Sequence, residues 1–187
     1  MASGLCWSCC SQRSRTSAAA AGDWVDSLEL SNPHERLREL GLELPAPPGA
    51  VASYVPTRLV PIGDGRALLH VAGQISVAEG KRLTGRCPDE VSVEEAKARA
   101  RACALNVLAQ IDSAAGLHNV EQVTQVIGFV LSAEGFGDQP QVLNGASDLI
   151  VEVLGEAGRH TRIALGANAL PFSVTVEIAA VAVVRTH

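Results

Sequence analysis

Ser173-Val174-Thr175-Val176-Glu177-Ile178-Ala179-Ala180-Val181-Ala182-Val183-Val184 is the stretch whose reading decides the fold. Its β-branched residues and two-residue alternation make it a strand. Val174, Val176, Ile178, Ala180, Ala182 and Val184 fall on one face, and Thr175, Glu177, Ala179, Val181 and Val183 on the other. The first face is apolar throughout and needs helices to cover it. The second is too apolar along its later half to stay in water, and the sequence holds no third layer. Its expected cover is therefore another copy of the chain.

Working outward, Leu170-Pro171 separates this strand from a shorter one, Arg162 to Asn168. Before that, Leu143, Ala146, Leu149, Ile150, Val153 and Leu154 form a helical stripe closed by Gly155 and Gly158. Val120 to Ala133 is an apolar run read as a strand buried on both faces. Ser92-Val93-Glu94-Glu95 is a capping box, and behind it Ala100, Ala104, Val107, Leu108 and Ile111 mark one side of a helix ending near Gly116. Val51 to Val60 and Ala67 to Ser76 read as two strands joined across Gly63-Asp64-Gly65, followed by a loop with Gly80, Gly85 and Pro88. The order β-β-α-β-α-β-β predicts an α+β sandwich, one sheet with two helices on one face.

The 187 residues suffice for one core, and 47% apolar against 19% charged residues exclude disorder as the main state. Fifteen Lys and Arg against 20 Asp and Glu give a net charge of −5, so no nucleic-acid partner is expected. The longest apolar run, Ile178 to Val184, is strand-sized, so no membrane partner is expected either. Aromatic residues make up only 3%, so the core must be filled by small aliphatic side chains, which also let neighbouring sheets approach closely.

Three segments are expected. Residues 1–22 carry no acid, Arg13, Arg15, several Ser and the run Ala18 to Ala21, the composition of an organellar transit segment or of a tail with no address. The expected compartment is the cytoplasm, or a mitochondrial or plastid matrix. Cys6, Cys9 and Cys10 lie in this segment without a His or a second Cys pair to complete a zinc set. Residues 23–49 hold a cap at Ser31-Asn32-Pro33, a short helix from His34 to Gly41 and a linker stiffened by Pro45, Pro47 and Pro48. Residues 50–187 form the main domain.

No nucleotide-binding glycine signature, zinc-ligand spacing or Gly-x-Ser-x-Gly elbow occurs, so neither metal nor cofactor is expected. Two residues stand out as charges in apolar strands: Arg162 and Glu177. Read alone they fit a solvated strand edge, a buried ion pair or a working site.

At these residues the chain resembles the reactive-intermediate deaminases, the Rid or YjgF-like family. His160-Thr161-Arg162, Leu170-Pro171 and Val176-Glu177-Ile178-Ala179-Ala180-Val181-Ala182 keep the order and spacing of the family's C-terminal signature. Ala72-Gly73-Gln74-Ile75 resembles its Ser-Gly-Gln-Ile/Val strand, and Asn144-Gly145-Ala146-Ser147-Asp148 its Asn-bearing helix start. The resemblance spans about residues 50 to 184 and points to a divergent branch. It implies a chorismate-mutase-like fold, a homotrimer with clefts between subunits, and hydrolysis of enamines and imines such as 2-aminoacrylate to 2-keto acids and ammonia. The ligand it implies is a small imine or keto acid. Arg162 would grip its carboxylate as a planar fork, and Glu177 would hold or activate water. Gly73, Asn144 and the lone Tyr54 would shape the pocket, although Tyr54 also reads as an ordinary strand aromatic and Asn144 as a helix N-cap. Ala72 and Ala164 depart from the family's usual Ser and Cys, which bears on the substrate. A non-catalytic carboxylate-binding module is the alternative. The ribonuclease activity also attached to the family fits poorly with net charge −5 and one Tyr.

Overall fold

A computed structural model describes residues 32–50 and 52–186. The transit and cysteine-cluster expectations on residues 1–22 lie outside the described residues, as does Ser31. Asn32 caps the first helix, α1 (Pro33–Glu39), by accepting the His34 N–H at 3.0 Å. Leu37 of α1 is buried in the core, with Leu40, Leu42 and Leu44 packed behind it.

The sheet contains β1 (Thr57–Gly63), β2 (Arg66–Ile75), β5 (Val120–Leu131), β6 (Thr161–Ala167) and β7 (Val176–Arg185) in the spatial order β1-β2-β7-β5-β6. All neighbours are antiparallel except β5 and β6. The helices α2 (Val93–Ala115) and α3 (Gln139–Leu154) lie on one face, so the sequence order of strands and helices is that of the α+β sandwich. Inserted after β2 is a small hairpin, β3 (Val77–Ala78) with β4 (Lys81–Arg82), where a loop was expected.

Local chemistry explains most boundaries. Asp64-Gly65 forms the two-residue turn with both φ values positive, 52° and 65°, as a twisted hairpin demands. The expected box closes at α2: Ser92 Oγ accepts the Glu95 N–H at 3.2 Å, and the Glu95 carboxylate accepts the Ser92 N–H at 3.1 Å. The alternating face of β7 is buried at Val176, Ile178, Ala180, Ala182 and Val184. The largest fully buried side chains, Leu69, Leu108, Ile111, Leu117, Leu143, Leu149, Ile150 and Ile178 among them, are all aliphatic.

Two boundaries and one burial reading differ from expectation. β1 starts at Thr57, because Pro56 carries no N–H to begin a ladder earlier. β5 is buried on one face only: Val123, Val126 and Val130 meet the helices, whereas Ile127 and Phe129 stay half-exposed because nothing among the described residues covers the other side. α3 begins at Gln139, behind Asp138 and with Pro140 in its first turn, so Asn144 sits inside the helix and is not its cap.

Candidate functional site

β2 departs from regular pairing where the sequence reads Ala72-Gly73. Val71 lies opposite Ala180, yet Gln74 lies opposite Ile178, so β2 carries one extra residue between them. Such a bulge re-aims side chains and is common beside active sites. Here it turns Gln74 toward the helices, where it is buried, and places Gly73 on the open face with Glu177. A Cβ on Gly73 would collide with the Glu177 carboxylate, so the glycine makes room for that side chain.

Glu177 lies between Ile75 of β2 and Phe129 of β5. Its carboxylate has no hydrogen-bond partner among the described residues, and burial pushes its pKa above the ordinary carboxylate value. The buried ion pair that the sequence left open does not form. Glu177 instead looks into a cleft of about 1510 Å³, lined also by Tyr54, Ala72, Gly73, Lys81, Arg82 and Phe172. Tyr54 is therefore a wall of this cleft; 45% of its surface is exposed.

Arg162 stands elsewhere. In register it pairs with Val126, which pairs with Ala180, and both of these point toward the helices. Glu177 occupies the opposite parity on β7, so the two charged residues project from opposite faces of one sheet. Arg162 reaches α3, where Nη1 donates to Asn144 Oδ1 and Ser147 Oγ, both at 3.0 Å, and Nη2 to the Pro140 carbonyl at 3.1 Å. A guanidinium carries five N–H donors. With these three engaged, Nε–H and one hydrogen on Nη2 remain, enough for the two oxygens of a carboxylate.

The five residues singled out by sequence thus divide. Tyr54, Gly73 and Glu177 share one cleft. Arg162 and Asn144 are joined to each other and stand apart from it.

Two residues of the arginine's surroundings had no role assigned by sequence. Ser147 Oγ lies 3.0 Å from His160 Nε2, and His160 Nδ1 lies 2.6 Å from the Gly158 carbonyl. That carbonyl can only accept, so Nδ1 carries the hydrogen. In the neutral ring Nε2 then accepts the Ser147 hydroxyl, leaving the Ser147 oxygen to receive Arg162. Both residues lie within blocks quoted above, but only the fold shows that they meet.

Ala164 lies two residues along β6 on the same side as Arg162 and is partly buried against the core, an apolar contact where the family's Cys would stand. Opposite, Ile163 and Leu165 are 41% and 48% exposed. Together with Ile127, Phe129, Val181 and Val183 they make the open face of the sheet largely apolar.

Comparison with known proteins agrees with this architecture. Residues 34–182 match the family model described as "YjgF/chorismate_mutase-like, putative endoribonuclease". Protein TCP17 of Trypanosoma cruzi is 41% identical over 145 residues, covering 76% of this chain and 88% of that protein. The crystal structure of Atu1372 from Agrobacterium tumefaciens, a protein of unknown function, is also 41% identical and superposes with a TM-score of 0.71 over 81% of this chain and 93% of its own. E. coli TdcF, solved with bound serine, is 25% identical, with a TM-score of 0.51 over 75% and 94%. The family match runs from α1 into β7 and contains all five residues discussed, on the fold their order predicted; the chain belongs to the YjgF/chorismate-mutase-like family.

Proposed function

We propose that this protein is an enamine/imine deaminase, converting 2-aminoacrylate-type intermediates to 2-keto acids and ammonia in clefts built between the copies of a homotrimer. The observation that carries the reading is a carboxylate with no partner among the described residues, Glu177, matched by a guanidinium with two donors left over among them, Arg162, on the other face of the sheet. A heterologous three-fold contact lays the open face of one copy beside the Arg162 edge of the next, which joins the two half-sites and covers Ile163 and Leu165.

In that cleft the substrate carboxylate binds the Nε and Nη2 hydrogens of Arg162, while Asn144 and Ser147 hold the guanidinium in place. Glu177 accepts a hydrogen from a water set against the imine carbon. As the oxygen attacks, the carboxylate takes the proton and the C=N electron pair moves onto nitrogen. Glu177 returns that proton to nitrogen, giving a carbinolamine. It then takes the hydroxyl proton and passes it to the same nitrogen, so that C–O becomes C=O as the C–N bond breaks and ammonia leaves the keto acid, with water the only other reactant. Partial burial suits Glu177 to this work, because a raised pKa makes it a stronger base. The serine bound to TdcF supports a site that recognises an amino-acid carboxylate.

A binding module without turnover is favoured by one feature, the loss at Ala72 and Ala164 of the polar groups usual in the family. Subunit mixing tests both ideas. Arg162→Ala and Glu177→Gln are each expected to be inactive toward imines generated by an amino-acid oxidase. Co-refolded one to one, they regain activity in roughly a quarter of the clefts, those taking an intact residue from each parent. No recovery, or a 19.5 kDa species in light scattering at micromolar concentration, overturns the intersubunit site. Tight keto-acid binding by a wild type that never turns over selects the binding module.

A further inference from the structure

We infer that the Glu177 cleft takes imines and keto acids with an aromatic side chain, and that Phe172 sets this preference. The inference rests on the hydrolytic reading but names the substrate class that reading leaves open.

The chemistry at Gly73 and Glu177 occupies only the floor of the cleft. On the single chain the cleft measures about 1510 Å³, room for a ligand larger than a three-carbon imine. Most of the remaining lining is apolar, with Val55, Ile75, Val77, Tyr54 and Phe172 among it, and Gln74, Lys81, Arg82 and Asn106 as its polar members. At position 72 an alanine methyl replaces the hydroxyl usual in the family, which moves the wall further in the same direction.

The aromatic residues are placed unevenly. The described residues hold four of them, Tyr54, Phe129, Phe136 and Phe172. The two most exposed, Tyr54 at 45% and Phe172 at 50%, both line this cleft. Phe172 is held there at a cost. Its φ of 56° and that of Ser173, 55°, lie in the left-handed region that non-glycine residues avoid, and backbone strain of this kind gathers at ligand clamps. The Arg82 guanidinium lies 3.9 Å from the centre of the Phe172 ring and fixes it from one side. A strained, braced and half-exposed ring beside a reactive carboxylate has the geometry of a stacking surface, and aromatic side chains gain most from such a surface.

The test compares phenylpyruvate with pyruvate by calorimetry, and phenylalanine-derived with alanine-derived imines by kcat/KM. Wild type is expected to favour the aromatic member of each pair at least about tenfold. Phe172→Gly, which removes the ring and relieves the positive φ, is expected to bring both ratios close to one. Arg82→Ala, which leaves the ring but removes its brace, should give intermediate ratios. Equal handling of both pairs by wild type, as when a neighbouring copy fills the upper cleft, overturns the inference, and so do ratios unchanged in Phe172→Gly. The two readings fail differently: turnover of the alanine-derived imine without aromatic preference removes only this inference. Preferential phenylpyruvate binding without turnover of any imine removes the deaminase and leaves the aromatic site standing.

Discussion

Gly73 and the Glu177 carboxylate compete for the same space: a Cβ at position 73 would overlap Glu177 Oε1. The atom in the way is the far end of a flexible side chain, so Gly73→Ala is expected to fold with little change in Tm. The carboxylate must swing aside, however, and a misplaced base costs rate steeply. The expected loss in kcat/KM for imine hydrolysis is about 10²-fold, measured beside a thermal melt that stays put. A large fall in Tm instead would show that the glycine serves the sheet and not the carboxylate.

Glu177 also ties activity to pH. Its pKa is raised by burial, so the ionised base is lost on acidification at a pH above the ordinary glutamate range. The acid limb of the kcat/KM profile is expected there, and a limb at or below the usual value would show an unperturbed base.

The same burial predicts a stability signature. A carboxyl whose folded pKa is raised contributes stability that is present below its unfolded pKa and lost as pH rises through the folded one. Glu177→Gln, which carries no charge, should match wild type near pH 3. At pH 7 it should melt higher than wild type while losing turnover. Calorimetric melts at the two pH values check this.

Ser147 touches Arg162 and His160 touches Ser147, so under the proposed reading both bear on the substrate only through the guanidinium. Ser147→Ala removes one of the arginine's braces and His160→Asn the ring that orients that brace, and neither touches the arginine's free donors. The expected effect is a rise in KM of about three- to tenfold with kcat little changed, because a looser fork weakens ground state and transition state alike. Arg162→Lys supplies no planar fork and should lose more than either. Equal falls in kcat for the two positioning variants would place them in the chemistry itself.

Gly145 offers a structural control. A Cβ there would press on the Lys97 backbone carbonyl, where α3 crosses α2, and backbone cannot swing away. Gly145→Ala is expected to cost about 1–3 kcal/mol, lowering Tm by roughly 2–4 °C for each kcal/mol. Activity per folded protein should be retained at low temperature.

The layer order was legible because its signals are local. Ser92 and Glu95 write the start of α2, Asp64-Gly65 the hairpin, and the alternation in β7 its buried face. The β3–β4 hairpin was not legible, since two-residue strands carry no period. The start of α3 at Gln139 was announced by Asp138 and Pro140, but the apolar stripe begins only at Val142 and drew the boundary late. The sequence named candidate residues but not their arrangement. Spacing names Arg162 and Glu177, whereas the faces they occupy depend on the register of β6 on β5 and of β5 on β7, which is set between strands far apart in sequence.

The bulge at Ala72-Gly73 bears on how this sequence can drift. Before it, Ala67, Leu69 and Val71 point inward; after it, Gln74 and Ser76 do, so the odd–even assignment of β2 changes there. Substitutions in β2 can be absorbed one at a time. Deleting Gly73 would restore an uninterrupted ladder and leave Ala72 in the glycine's place beside the carboxylate. Natural variants should accordingly differ here by replacement while holding length fixed, and gaps should collect instead at turns such as Asp64-Gly65 and Glu79-Gly80, where no parity is at stake.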